Sequence, residues 1–243
     1  MKPEPTYPPA VASVLAHNRA FVARGDWRDH AAPGRPAKQL AVVTCMDTRL
    51  TRLLPDALGL QNGDAKIIKV AGATIVEPYG EVMRSLLVAV AELGVTDIMV
   101  VGHTSCGTCG MEAAHMLEEL GRAGVPRERI EAAIARDPRA ASLLNGFEDL
   151  EDEVRASVRK VREHPLMPDG VRVWGFTIDI ETGELTAVAP GAGESAAAGE
   201  LTAVAPGAES PAAPSQLTAA ALDAGKPAMP SDPASPAAEH PAL

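Results

Sequence analysis

Two periodicities alternate along the first 188 residues. Residues 40–44 (LAVVT) form a short continuous apolar run, the pattern of a strand buried on both faces. Residues 65–70 (AKIIKV) and 97–102 (DIMVVG) predict two more strands. Residues 171–178 (VRVWGFTI) and 185–188 close the series, joined by a turn at Glu181-Thr182-Gly183. Between these runs the spacing becomes helical. Residues 11–24 carry Val11, Val14, Leu15, Ala20, Phe21 and Val22 at helical intervals. Residues 79–93 set Met83, Leu86, Leu87, Val90 and Leu93 on one face, with Gly94 as the stop. Further helical patterns fill residues 111–122, 127–136 and 148–163. Strands alternating with helices predict an α/β fold, a mostly parallel central sheet flanked by helices, preceded by an N-terminal helical arm. Ligands in such sheets bind beyond the carboxyl ends of the strands.

The pattern stops near residue 189. Beyond it there are no aromatic residues, and nine of the 21 prolines fall in residues 190–243. The unit GELTAVAPGA occurs at 183–192 and again at 199–208. The first copy completes the last predicted strand, and the second sits in Ala/Pro/Gly/Ser-rich sequence. Such sequence buries too little apolar surface to offset its ordering entropy, so a disordered tail is expected over 190–243. The organisation predicted is an arm and loop (1–37), an α/β domain (38–189) and the tail.

Composition narrows the function classes. The net charge of −10 argues against a nucleic-acid binder. The tail carries −5 of it, and the remainder is ordinary. No run approaches the roughly 20 apolar residues of a membrane span, and the N-terminus MKPEPTYPPAV has no signal-cleavage pattern. Three cysteines do not form a disulfide framework. A reduced cytoplasm is the expected location, and clustered cysteines there point to metal or redox chemistry.

The cysteines sit in two short segments, Cys45-Met46-Asp47-Thr48-Arg49 after the first strand and His103-Thr104-Ser105-Cys106 after the third. Two thiolates and one imidazole are good zinc ligands, and three protein ligands leave a fourth position for water. Cys109 could fill that position instead and make the zinc structural. Cys106-Gly107-Thr108-Cys109 also has the spacing of a redox dithiol at a helix start. A domain that keeps the metal without turnover is a further reading. The remaining histidines are weaker candidates. His17 is expected to pack or cap, His115 to make a core or dimer contact, and His30, His164 and His240 to face water. Phe21 and Tyr79 are expected to pack.

Cys-x-Asp-x-Arg after one strand and His-x-x-Cys after a later one resembles the β-class carbonic anhydrases. The resemblance runs over residues 10–188, through NRAFV (18–22), KVAG (69–72), MRSL (83–86) and GFTIDIETGEL (175–185), and looks like the short bacterial members. It implies Zn2+ held by Cys45, His103 and Cys106, with Asp47 and Arg49 as the catalytic dyad and Asp47 as fourth ligand in a closed state. It implies reversible hydration of carbon dioxide to bicarbonate by zinc-bound hydroxide, in a homodimer or dimer of dimers whose N-terminal helix reaches across to the partner. Val70 departs from the Asn common before Ala-Gly in this family. A more apolar wall also suits carbonyl sulfide or carbon disulfide, so hydrolysis of these is the alternative reading.

Overall fold

The computed structural model describes residues 6–189. Its elements are α1 (Pro9–Arg24), β1 (Leu40–Cys45), α2 (Leu50–Ala57), β2 (Ala65–Val70), α3 (Glu81–Ala91), β3 (Asp97–His103), α4 (Ala113–Arg122), α5 (Arg127–Arg136), α6 (Arg139–Ser142), α7 (Leu150–Arg162), β4 (Arg172–Ile178) and β5 (Leu185–Ala187). The chain divides at Gly199, and the second unit, Gly199–Leu243, lies outside the described residues, as do the second repeat copy, His240 and the expected tail.

The five strands form one sheet in the order β2-β1-β3-β4-β5. The first three pairings are parallel and β4–β5 is antiparallel. The continuous apolar runs of β1 and β3 occupy the centre, where both faces are covered. Alternation along β1 divides the core. Ala41 and Val43 face a cluster made with Met83, Leu86 and Ala89 of α3 and Val154, Val158 and Val161 of α7. Val42 faces the other, made with Leu50 and Leu54 of α2, Val101, Phe147 and Ile178. The sheet is thus flanked by helices on both faces, as the alternating pattern predicts.

α7 illustrates how local sequence fixes an element. The Asp149 side chain accepts the Asp152 N–H at 2.9 Å. Glu151, Asp152 and Glu153 fill the first turn and Arg159, Lys160 and Arg162 the last, each sign facing the favourable end of the helix dipole.

α2 is not among the helices that the periodicity predicts, because Pro55 lies inside it. Proline removes the N–H that would bond the Thr51 carbonyl. Thr51 is exposed, so water can take that bond, and the buried Leu50 and Leu54 hold the turn in place. α1 follows the predicted helix yet buries no residue, and leaves Val11, Val14 and Val22 exposed.

One expectation about histidines is overturned, and a second is narrowed. His164 is only 4% exposed, tucked beneath Tyr79 with ring centroids 5.2 Å apart, instead of facing water. The helix-end loop places it there, although its position in the chain reads as surface. His115 is exposed beside Glu119, 3.9 Å away, so of the two contacts expected for it the core one is excluded. Tyr79 itself is 77% exposed, and its ring meets that of His164 in a T-shaped contact.

Candidate metal centre

Cys45 closes β1 and His103 closes β3, adjacent parallel strands whose register fixes the spacing of their ends. The chain leaves β1 for β2 on one side and returns to β3 on the other, so both residues flank the point where the winding reverses. That is where α/β sheets form their binding crevice. Cys106 follows through a turn in which Ser105 adopts a left-handed φ of 54°. Such a conformation costs a non-glycine residue about 1–2 kcal/mol, and here it lies between two of the converging side chains.

The Sγ atoms of Cys45 and Cys106 are 3.9 Å apart and both thiols are free. Cys45, His103 and Cys106 are buried, with their ligand atoms all within 4.8 Å of one another. His103 Nδ1 lies 2.8 Å from the Thr104 carbonyl, which accepts its proton and leaves Nε2 with a lone pair. Nε2 is buried and has no partner. An unsatisfied polar atom in the interior is costly, and a cation between the three side chains would satisfy it. Tetrahedral zinc with Zn–S bonds of about 2.3 Å sets two sulfurs about 3.8 Å apart. The 3.9 Å separation and the sulfur–nitrogen donor set fit that ion.

Burial pushes the Cys45 thiol up from its ordinary range, and the neighbouring Cys106 sulfur adds to this. The backbone N–H groups of Asp47 and Gly72 pull the other way. Two sulfurs this close resist sharing negative charge until a cation sits between them, so metal binding there would release protons.

Asp47 lies beside the cluster, its Oδ2 4.0 Å from His103 Nε2. Arg49 grips the carboxylate through Nε at 3.0 Å and a terminal nitrogen at 2.8 Å, and its own backbone N–H adds a third bond at 2.8 Å. These bonds hold Asp47 far below the usual carboxylate range. The Arg49 guanidinium also reaches the Ser105 carbonyl at 3.4 Å, tying the dyad to the second segment. Lys69 of β2 donates to the Asp47 carbonyl at 3.1 Å and to Thr51 Oγ1 at 3.0 Å, fixing the loop from behind.

The five residues singled out by the motifs therefore meet in one place. Cys109 does not join them: it is exposed, and its Sγ donates to the Glu148 carbonyl at 3.4 Å. Lys69 and Thr108 were not legible as contributors. Lys69 lies in the quoted KVAG stretch, but its side chain gives no hint of which loop it bonds. Thr108 reads as a spacer between cysteines, yet its Oγ1 is 3.1 Å from Cys106 Sγ.

Comparison with known proteins defines the class. A sequence profile for carbonic anhydrases matches residues 40–185. YvdA of Bacillus subtilis, provisionally named a carbonic anhydrase, is 42% identical over 182 residues, 75% of this chain and 92% of that protein. The crystal structure of β-carbonic anhydrase isoform I from Trichomonas vaginalis superposes with a TM-score of 0.66 at 32% identity, covering 75% of this chain and 98% of that one. A carbon disulfide hydrolase of Acidithiobacillus thiooxidans is 27% identical over 160 residues, 61% of this chain and 76% of that protein. The chain belongs to the β-carbonic anhydrase family.

Proposed function

We propose that this protein is a zinc enzyme that interconverts carbon dioxide and bicarbonate, with Cys45, His103 and Cys106 holding the metal. The observation that carries the reading is the unpartnered Nε2 of His103 facing two free thiols, with an ionised carboxylate held 4.0 Å away. A structural zinc has no use for that carboxylate. Zinc held there would supply Lewis acidity and bring the pKa of a bound water to about 7, making hydroxide available at neutral pH.

Asp47 stands beside the donor set as a hydrogen-bond acceptor, and would accept from an attacking hydroxide and fix which of its lone pairs faces the substrate carbon. Its lowered pKa keeps it ionised and acceptor-only throughout the neutral range. Arg49 has the planar fork that holds both carboxylate oxygens. This grip restrains the carboxylate; with zinc bound, its release would let Asp47 approach as a fourth ligand.

Hydrolysis of carbon disulfide or carbonyl sulfide is the second reading, favoured by Val70 at the end of β2, paired in register with Cys45. The carbon disulfide hydrolase relative gives it weight. One experiment separates the two. The zinc-loaded protein is assayed by stopped flow for carbon dioxide hydration, and in parallel with carbonyl sulfide and carbon disulfide for hydrogen sulfide release. Hydration well above buffer supports the first reading; sulfide release alone supports the second. Inactivity on all three would leave a non-catalytic zinc domain. About one zinc per chain, kept in Cys109→Ser and lost in Cys45→Ser, would eliminate the dithiol and four-ligand structural readings.

The bare apolar positions of α1 support a homodimer, or a dimer of dimers, in which this helix packs on a partner. Light scattering on a protein beginning at Lys38 tests it; an unchanged dimer would refute that role. Free thiols suit a cytoplasmic location. Among the described residues no helix is long and apolar enough to cross a membrane.

A further inference from the structure

The two thiols are supported in different ways. Around Cys45, backbone N–H groups of Asp47 and Gly72 counter the upward push of burial on the thiol, and no side-chain substitution can remove them. Cys106 Sγ receives a side-chain hydroxyl, that of Thr108, at 3.1 Å. Once Cys106 is a thiolate it can only accept, so the hydroxyl is the donor. We propose that Thr108 is a positioning residue of the metal centre: its hydroxyl holds the Cys106 sulfur in its ligating orientation and draws charge from it, so that metal affinity and metal–sulfur bonding depend on this one bond. The inference rests on the metal-site reading above.

The surroundings are built to keep the hydroxyl there. The Thr108 carbonyl accepts from Phe147 N–H at 3.2 Å and from Met111 N–H at 3.3 Å, which fixes its backbone. Gly72 supplies the space on the other side. A Cβ at Gly72 would lie 2.6 Å from Thr108 Oγ1 and 3.1 Å from the Phe147 ring, and Gly72 also has a left-handed φ of 67°. The missing side chain of this glycine is therefore what leaves room for the hydroxyl to reach the Cys106 sulfur. Hydrogen bonds to ligand atoms tune metal affinity by about 10–100-fold in metal sites generally.

The test uses the full chain loaded with zinc, and with cobalt(II) as a spectroscopic stand-in. Thr108→Val keeps the shape and loses the hydroxyl; Thr108→Ala loses both; Thr108→Ser keeps the hydroxyl. Zinc affinity is read by competition with a chromophoric chelator, and the thiolate-to-cobalt charge-transfer band by absorption. Val and Ala should each weaken zinc binding by about 10-fold or more and move the band to lower energy, because a thiolate without its hydrogen bond gives up charge more easily. Ser should restore both values. Val with unchanged affinity and band position would overturn the inference, as would Ala and Val moving in opposite directions, which would make packing the cause. A wild-type protein that binds neither metal would instead overturn the metal reading itself.

Discussion

Gly146→Ala should destabilise the fold by an amount set by the close packing around Gly146. Gly146 does not have a left-handed φ, so alanine there meets a problem of space and not of backbone conformation. Its Cβ would stand 1.8 Å from the Thr108 carbonyl oxygen and 2.9 Å from Met111 Cβ. Real Cβ contacts stay beyond 3.0 Å, so the segments must part by about 1.2 Å. Three backbone bonds cross that gap: Gly146 N–H to Met111 O at 2.8 Å, Gly110 N–H to Phe147 O at 2.8 Å and Phe147 N–H to Thr108 O at 3.2 Å. Stretched by that amount they fall outside hydrogen-bond range, a loss of about 1 kcal/mol each. Alanine returns about 0.4–1 kcal/mol by restricting the unfolded chain, which leaves a destabilisation of about 2 kcal/mol. Urea unfolding of the metal-free protein, at fixed protein concentration, reads this as a lower midpoint with an unchanged slope. Gly107→Ala is the control: nothing lies within 4 Å of its Cβ and its φ is not left-handed, so its midpoint should not fall. Gly146→Ala within about 0.5 kcal/mol of wild type, the usual range for a harmless surface change, would refute the reasoning. So would an equal loss in the control.

Four further outcomes follow from the same structure. Asp97 is held below its ordinary pKa first by the Arg172 guanidinium, at 2.7 and 2.5 Å. Its stabilisation is therefore fully present above the unfolded value of about 3.9 and lost as pH falls through the lower folded value; unfolding midpoints of wild type and Asp97→Asn should differ at neutral pH and converge in acid. Asp47→Ala should retain zinc by elemental analysis and lose about 10²-fold or more in hydration rate, while Arg49→Lys, which cannot grip both oxygens, should fall between them. Leu86→Ala removes a side chain buried without any exposure and should cost about 2–5 kcal/mol in urea unfolding.

How much of this was legible depended on whether a residue's chemistry or its surroundings decided the matter. β1 and β3 could be read because a central parallel strand must be apolar at nearly every position, and the bounds shifted only to include Cys45 and His103. The convergence of Cys45, His103 and Cys106 could be read because thiols and imidazoles are the commonest zinc donors and two neighbouring strand ends carry them. α2 was hidden by Pro55, whose lost hydrogen bond is tolerated only because the affected carbonyl belongs to an exposed residue. His164 was misplaced because burial of a loop residue depends on what folds over it, here Tyr79. Thr108 was passed over because a hydroxyl between two cysteines has no meaning until the distance to one sulfur is known.

The three bonds that join residues 108–111 to residues 146–147 have a consequence for how this chain can change. Residues 112–145 leave and re-enter the fold through that narrow stem, and their helices α4, α5 and α6 contain no buried residue. Lengthening such an excursion costs little, since closure entropy grows only with the logarithm of its length. Evolution and protein engineers thus have the same opening: sequence can be lengthened, shortened or exchanged beyond the stem, and even a foreign domain carried there, while the distance from Cys106 to its neighbours is kept by the clasp beneath.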